Sequence, residues 1–210
     1  MKAGSESVSG SRDRYLSRDA AVLLGDFRGL AADLMWVKVY REWSQRDVQA
    51  MRGTLDLTVK LDPMTAVFWL NGARMLAYDV TAWRLNELET EDGASFSRVK
   101  QEQLSEALGF LNRGRQSLPE AWELDVEAAI MRMNLTQDWA GALAILESLE
   151  LREGVPYYIG RIRAEILLKL DRKAEALTWL RKFESTLPDD DPAARKEVLR
   201  SRIAELEHRQ

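Results

Sequence analysis

The chain has 210 residues, 46% of them hydrophobic and 30% charged, with a formal net charge of -4. That length suits one domain with a sizeable core, and charges of both signs interspersed along it exclude the basic field that neutralises nucleic-acid phosphates. The absence of cysteine removes disulfides, thiolate catalysis and cysteine-ligated zinc together, and fits a reducing cytoplasm.

Residues 1–13, MKAGSESVSGSRD, are rich in Ser, Gly and charge and offer almost nothing to bury, which predicts a disordered lead. The apolar run that follows, AAVLL at 20–24, is far short of the ~20 residues that cross a bilayer, so no membrane span is expected. Helical periodicity predicts helices over 14–24, 27–44, 46–61, 64–78, 97–117, 120–134, 138–149, 156–170, 172–187 and 192–208. No stretch alternates with period two for long enough to predict a sheet. In the second helix, Arg28 and Asp33 predict a helix-start salt bridge or a buried polar tie.

The fourth helix is apolar apart from Asn71 and Arg74, which with Tyr78 fall at i, i+3 and i+7. One polar stripe on an otherwise apolar helix calls for a partner or a cavity. After it, residues 79–100 exceed what the repeat described below needs, and the acidic, Gly-bearing centre ETEDGAS predicts an inserted surface loop. At the far end, Asp191 followed by Pro192 predicts an N-cap and first helical position. Leu199, Ile203 and Leu206 then form an apolar stripe, so 189–210 reads as a C-terminal capping helix.

A repeat organises the middle of the chain. EALGFLNRGRQSLP at 106–119 returns as EALTWLRKFESTLP at 175–188, with GALAIL between them. Ala107 to Ala142 is 35 residues and Ala142 to Ala176 is 34. Pro119 and Pro188 each follow their alanine by twelve, and Met51 stands in the same relation to Pro63. Ala176, Leu180, Phe183 and Leu187 occupy one helical face, and the proline then ends the helix because it cannot continue the hydrogen-bond ladder. The alanine marks where two helices approach closely.

With that period, the chain resembles tetratricopeptide-repeat proteins over roughly residues 26–188. Trp69, Gly72, Ala73 and Leu76 stand at the large, large, small and aromatic positions of a first repeat helix. The resemblance implies an all-α fold, a right-handed α-solenoid of about four helix-turn-helix repeats closed by the capping helix. LLGDFRGLAADLMWVKVY, at 23–40, also resembles a group of bacterial repeat proteins in which a membrane anchor often precedes this segment. That likeness makes attachment to the bacterial envelope the alternative to a cytoplasmic location.

The resemblance further implies that first helices line a concave groove. Carried over residue by residue, it places Arg74 and Tyr78, then Glu127, Met131 and Asn134, then Tyr158, Arg161 and Glu165 along that groove, beside the Asn71 stripe. Arg74 and Arg161 are expected to meet acidic groups, and Tyr78, Met131 and Tyr158 apolar ones. The only histidine, His208, lies among the last three residues, where fraying is the default, whereas an acid-base histidine needs a neighbour to orient it. No Gly-rich phosphate loop, HExxH pair, nucleophile elbow or calcium loop occurs, so no enzyme, cofactor or metal is expected. Of the seven tryptophans, Trp36, Trp43, Trp122 and Trp179 are assigned to interhelical packing. The function expected is a non-enzymatic scaffold holding a peptide or protein segment. The alternative is a homo-oligomerising structural component of an envelope-associated assembly.

Overall fold

The computed structural model describes residues 9–88, 92–150, 152 and 154–208, with side chains from Phe27 onward. Among them the chain is helical, without a strand. The helices are α1 (Ser9–Ser44), α2 (Val48–Leu61), α3 (Ala66–Arg74), α4 (Val80–Asn86), α5 (Gly93–Ser117), α6 (Trp122–Met131), α7 (Trp139–Ser148), α8 (Tyr157–Lys169), α9 (Lys173–Thr186) and α10 (Lys196–His208). Two π turns, Met75–Asp79 and Arg132–Thr136, extend α3 and α6. Where the sequence predicts one repeat domain over 14–188, the chain divides into two compact units, the first ending at Phe68 and the second beginning at Trp69.

In the first unit α1 and α2 pack along each other. Ala32 and Val39 on α1 and Met51, Leu55 and Val59 on α2 are buried. The turn between the helices is set by Arg46, in the left-handed region at φ 56°, and by Asp47, whose Oδ1 accepts from the Ala50 N–H at 3.0 Å. That bond satisfies one of the amides a helix start leaves without a partner. Trp36 lies 5.2 Å from Phe68 and edge-on to Tyr40 at 5.5 Å, in the packing role expected of it.

In the second unit each helix packs on the next, from α5 through α6, α7, α8 and α9 to α10. The repeat alanines carry this arrangement: Ala107, Ala142 and Ala176 are wholly buried. Two glycines do the same work at closer range. A Cβ on Gly114 would stand 2.8 Å from Trp69 Cγ, and one on Gly160 would run into the Phe183 ring. Trp179 stacks on Phe183 at 5.4 Å and donates its indole N–H to Gly160 O at 2.8 Å. Trp122 packs against the same core.

Several expectations change. The predicted helices 14–24 and 27–44 are one helix, α1, which begins inside the expected lead at Ser9, while residues 1–8 lie outside the described residues. Once a helix is nucleated, extension adds one hydrogen bond per residue fixed, so a weakly patterned stretch follows a strongly patterned one. Arg28 and Asp33 are both exposed on α1, so they form no buried tie. Of the insertion expected at 79–100, residues 80–86 and 93–100 are helix, and 89–91, in the expected loop, lie outside the described residues. The fourth predicted helix runs past residue 78 through the π turn into α4, and α5 starts at Gly93 rather than 97. Val80 and Thr81 are buried on one side, Val99 and Gln103 on the other, so the extra residues lengthen both helices of a pair. Asp92 closes the start of α5 by accepting from the Ser95 N–H at 2.7 Å. At the C-terminal end, Asp191 and Pro192 open a short 3-10 turn, Pro192–Ala194, instead of the last helix. Arg195, at φ 48°, then redirects the chain into α10.

The glycine contacts make a paired prediction. Gly114→Ala is expected to cost about 1–3 kcal/mol by overpacking against Trp69. Gly109→Ala, on the same helix with nothing within 4 Å, should stabilise by roughly 0.5–1 kcal/mol through helix propensity. Urea midpoints of the two variants against wild type check both signs.

Candidate functional site

The groove residues expected from sequence all lie in the second unit, on α3, α6, α8 and the two π turns. They form two groups. In the first, Arg74 reaches from α3 across to α6, where its Nη2 meets Glu127 Oε2 at 2.5 Å. Its Nη1 donates to Asn71 Oδ1 at 3.4 Å, and Asn134 Nδ2 donates to Tyr78 Oη at 3.4 Å, joining one π turn to the other.

Burial decides what each can offer. Glu127 is 4% exposed and Met131 wholly buried, so neither presents a surface to a partner. This corrects the expectation that Met131 supplies apolar contact. Glu127 instead anchors Arg74, whose side chain keeps 50% exposure. The hydrogen bond to Glu127 holds the Arg74 pKa above its ordinary value, so the guanidinium stays charged. Burial raises the Tyr78 pKa, against the Asn134 hydrogen bond. The phenol therefore keeps its proton at neutral pH and can donate it outward.

In the second group, Arg161 on α8 donates from Nη1 to Ala194 O at 3.2 Å. Glu165, one turn on, accepts from Arg202 of α10 through Nε at 3.1 Å and Nη2 at 2.9 Å. Arg202 also donates to Glu205 at 2.7 Å. Arg161 and Glu165 thus point to different partners rather than closing an i, i+4 pair. They line two cavities, one of ≈ 440 Å³ toward α10 that Arg202 and Leu199 share. The other, ≈ 310 Å³, is bordered by Met133, Trp139, Ile162 and the 42% exposed Tyr158. Met133 neighbours Asn134 in the second π turn, so this cavity adjoins the first group through that turn.

The π turns are the local device behind the first group. A π turn inserts one residue into the helical ladder and shifts the face that follows. Gln103, 2% exposed on α5, fills the gap: with its amide nitrogen turned toward the acceptors, it donates to Leu76 O at 3.2 Å and accepts from Arg84 at 2.8 Å. Thr81 Oγ1 donates to Ala77 O at 2.5 Å. The second turn ends at Gln137, φ 55°, with Thr136 Oγ1 donating to Arg132 O at 3.1 Å. Gln103, Arg202 and the π turns themselves escaped sequence reasoning. Buried Thr81 and Gln103 in apolar stripes were the available signals.

Two charge clusters outside the groove hold neighbouring helices together. Asp125 of α6, 3% exposed, meets Arg115 of α5 at 2.8 Å and Arg152, beyond α7, at 3.0 Å. Arg163 of α8 lies 3.9 Å over the Trp179 ring and donates to Glu147 and Glu150. Hydrogen bonds from Lys182 and Arg163 hold the Glu150 carboxyl below its ordinary pKa. Among the described residues no group of three His, Asp or Glu side chains is placed to hold a metal ion. Nor is any helix there long and apolar enough to cross a membrane.

Two outcomes are expected from this geometry. Arg74→Ala strands the buried Glu127 charge and should cost about 2 kcal/mol, whereas Arg74→Ala with Glu127→Gln recovers most of that loss. A double-mutant cycle on urea midpoints reads it. Asp138 caps α7 through the Gly141 N–H at 2.9 Å and pairs with Arg132 at 2.6 Å, and these contacts lower its pKa, the Gly141 bond most. A depressed carboxyl contributes stability that is complete above its ordinary value of 3.8 and disappears as pH falls through the folded value. Asp138→Asn should therefore destabilise at pH 7, and the gap to wild type should close in acid, as measured by urea midpoints against pH.

No protein-family model matches the chain, and no curated protein matches it. A solved structure similar to it, that of a thermophilic TPR protein of Thermus thermophilus, aligns over 95% of this chain and 96% of that one, at 20% identity and a TM-score of 0.49. The all-α assignment rests on the helices themselves, paired in sequence order as the 34–35-residue period of the repeat alanines predicts.

Proposed function

We propose that the second unit is a non-enzymatic scaffold that holds an extended peptide or protein segment along its first helices, α3, α6 and α8. The observation that carries this reading is the run of partly exposed polar side chains on those helices, Asn71, Arg74, Tyr78 and Asn134, followed by the Tyr158–Arg161 cavity. An extended strand carries free amides and carbonyls at short intervals. Asn71, Asn134 and the protonated Tyr78 suit those groups, and Arg74 retains donors beyond its bond to Glu127 for an acidic side chain. Tyr158, Trp139 and Ile162 border an open cavity of ≈ 310 Å³ that can take apolar groups of the guest.

The paired state of the cations narrows the guest. Arg74 and Arg161 each serve a neighbouring helix already, so an acidic group on the guest adds to an existing bond rather than meeting a free charge. The guest is accordingly a mixed polar and apolar segment, not a highly acidic one.

Panning a random peptide library on the full chain tests the reading. Enriched peptides should bind at least about tenfold more weakly to Tyr158→Ala and to Asn134→Ala, the loss of one well-packed contact each. Both substitutions are at exposed positions. No enrichment, or peptides indifferent to both changes, would overturn it.

A further inference from the structure

The α1 helix has two apolar faces. One carries the buried Ala32 and Val39 and packs along α2. The other stands in water: Phe27 is 69% exposed, Leu30 57%, Leu34 59% and Val37 67%. A surface helix is normally polar on its solvent side, so this face is unpartnered.

Its spacing identifies what fits it. Phe27, Leu30, Leu34 and Val37 step by three, four and three, and the alternation continues upstream in the sequence through Leu23, Ala20 and Leu16. These seven positions over three heptads keep the 3.5-residue period of a left-handed two-stranded coil rather than the 3.6 of a helix lying on a globular core. α2 has 14 residues against 36 in α1, or about 21 Å against about 54 Å at the helical rise, so α2 flanks only part of it.

Charge then fixes the occupant and its direction. In this register Phe27 and Leu34 take a positions and Leu30 and Val37 take d. Asp19, Asp26 and Asp33 all fall at g, and Lys38 falls at e. In a parallel, in-register pair each g residue faces the e residue of the partner's next heptad. That alignment sets Asp33 of each copy against Lys38 of the other, twice by symmetry. An antiparallel pair would set the aspartate row against itself. Both side chains are exposed, and Lys38 makes an i, i+4 contact with Glu42 at 3.4 Å that leaves half of it in water. We infer that α1 binds α1 of a second copy as a parallel two-stranded coiled coil through the Phe27, Leu30, Leu34 and Val37 stripe. The inference is independent of the groove, since every residue it uses lies in the first unit.

Sedimentation equilibrium of the full chain over a concentration series tests it. Wild type is expected to dimerise, and Leu30→Glu with Leu34→Glu, both at water-exposed positions, to weaken the dimer by at least about 100-fold. Because the chain has no cysteine, Leu30→Cys introduces a sole thiol at a d position. Under mild oxidation it should give a disulfide-linked dimer, whereas Arg28→Cys, on the outer face, should not. Three results would overturn the inference. They are a wild-type monomer throughout, including one that instead co-sediments with phosphatidylcholine or phosphatidylglycerol vesicles; a dimer indifferent to the two glutamates; and a dimer that Leu30→Cys fails to cross-link.

Discussion

The helices α6 and α8 each bury side chains on more than one side, and no single neighbour can cover them. This constraint forces the linear order in which α6 packs on α5 and α7, and α8 on α7 and α9. Close approach is possible only where the side chain is small, at Ala107, Ala142, Ala176, Gly114 and Gly160. At the last helix α10 lays the buried Leu199 on α9 and keeps Glu197, Arg200 and Glu207 exposed.

A stack of that kind leaves one edge of each first helix uncovered, and its polar residues must find partners sideways. Arg74 with Glu127, Tyr78 with Asn134, and Glu165 with Arg202 are such lateral ties, the first two joining one first helix to the next and the third joining α8 to α10. The same side chains therefore do two jobs. They align successive helices, and they keep their remaining donors and acceptors in reach of water. Arg74 divides itself most clearly, with one nitrogen on a buried carboxylate and half its side chain still in water.

The π turns tune this edge. Each adds a residue to a first helix just where the polar stripe runs, and each is held by hydroxyl or amide side chains that occupy the backbone groups the turn displaces. Turns of this type concentrate at functional sites because the irregular ladder is stable only when neighbouring side chains support it. Here Gln103 gives that support from the adjacent helix, so the face bearing Tyr78 is set by α5 as much as by α3.

The sequence alone determined the helical class, the 34–35-residue period and the small residues at the crossings, because these depend on local periodicity and on the sizes of single side chains. Most groove candidates were also legible, since Asn71, Arg74 and Tyr78 interrupt an otherwise apolar helix. Tertiary structure alone decided which of them are available. Met131 and Glu127 sit on the expected helix but are enclosed, because burial depends on neighbours 50 or more residues away, as the Arg74–Glu127 contact illustrates. It likewise decided that 80–86 and 93–100 lengthen two helices, since Val80 and Val99 become apolar contacts only when both helices are side by side. The π turns have no pattern of their own in the chain. The first exists because packing against α5 and the buried hydrogen bonds of Gln103 and Thr81 outweigh the ideal ladder that local sequence would otherwise form, and the second packs on α5 with Thr136 bonded back to Arg132 O.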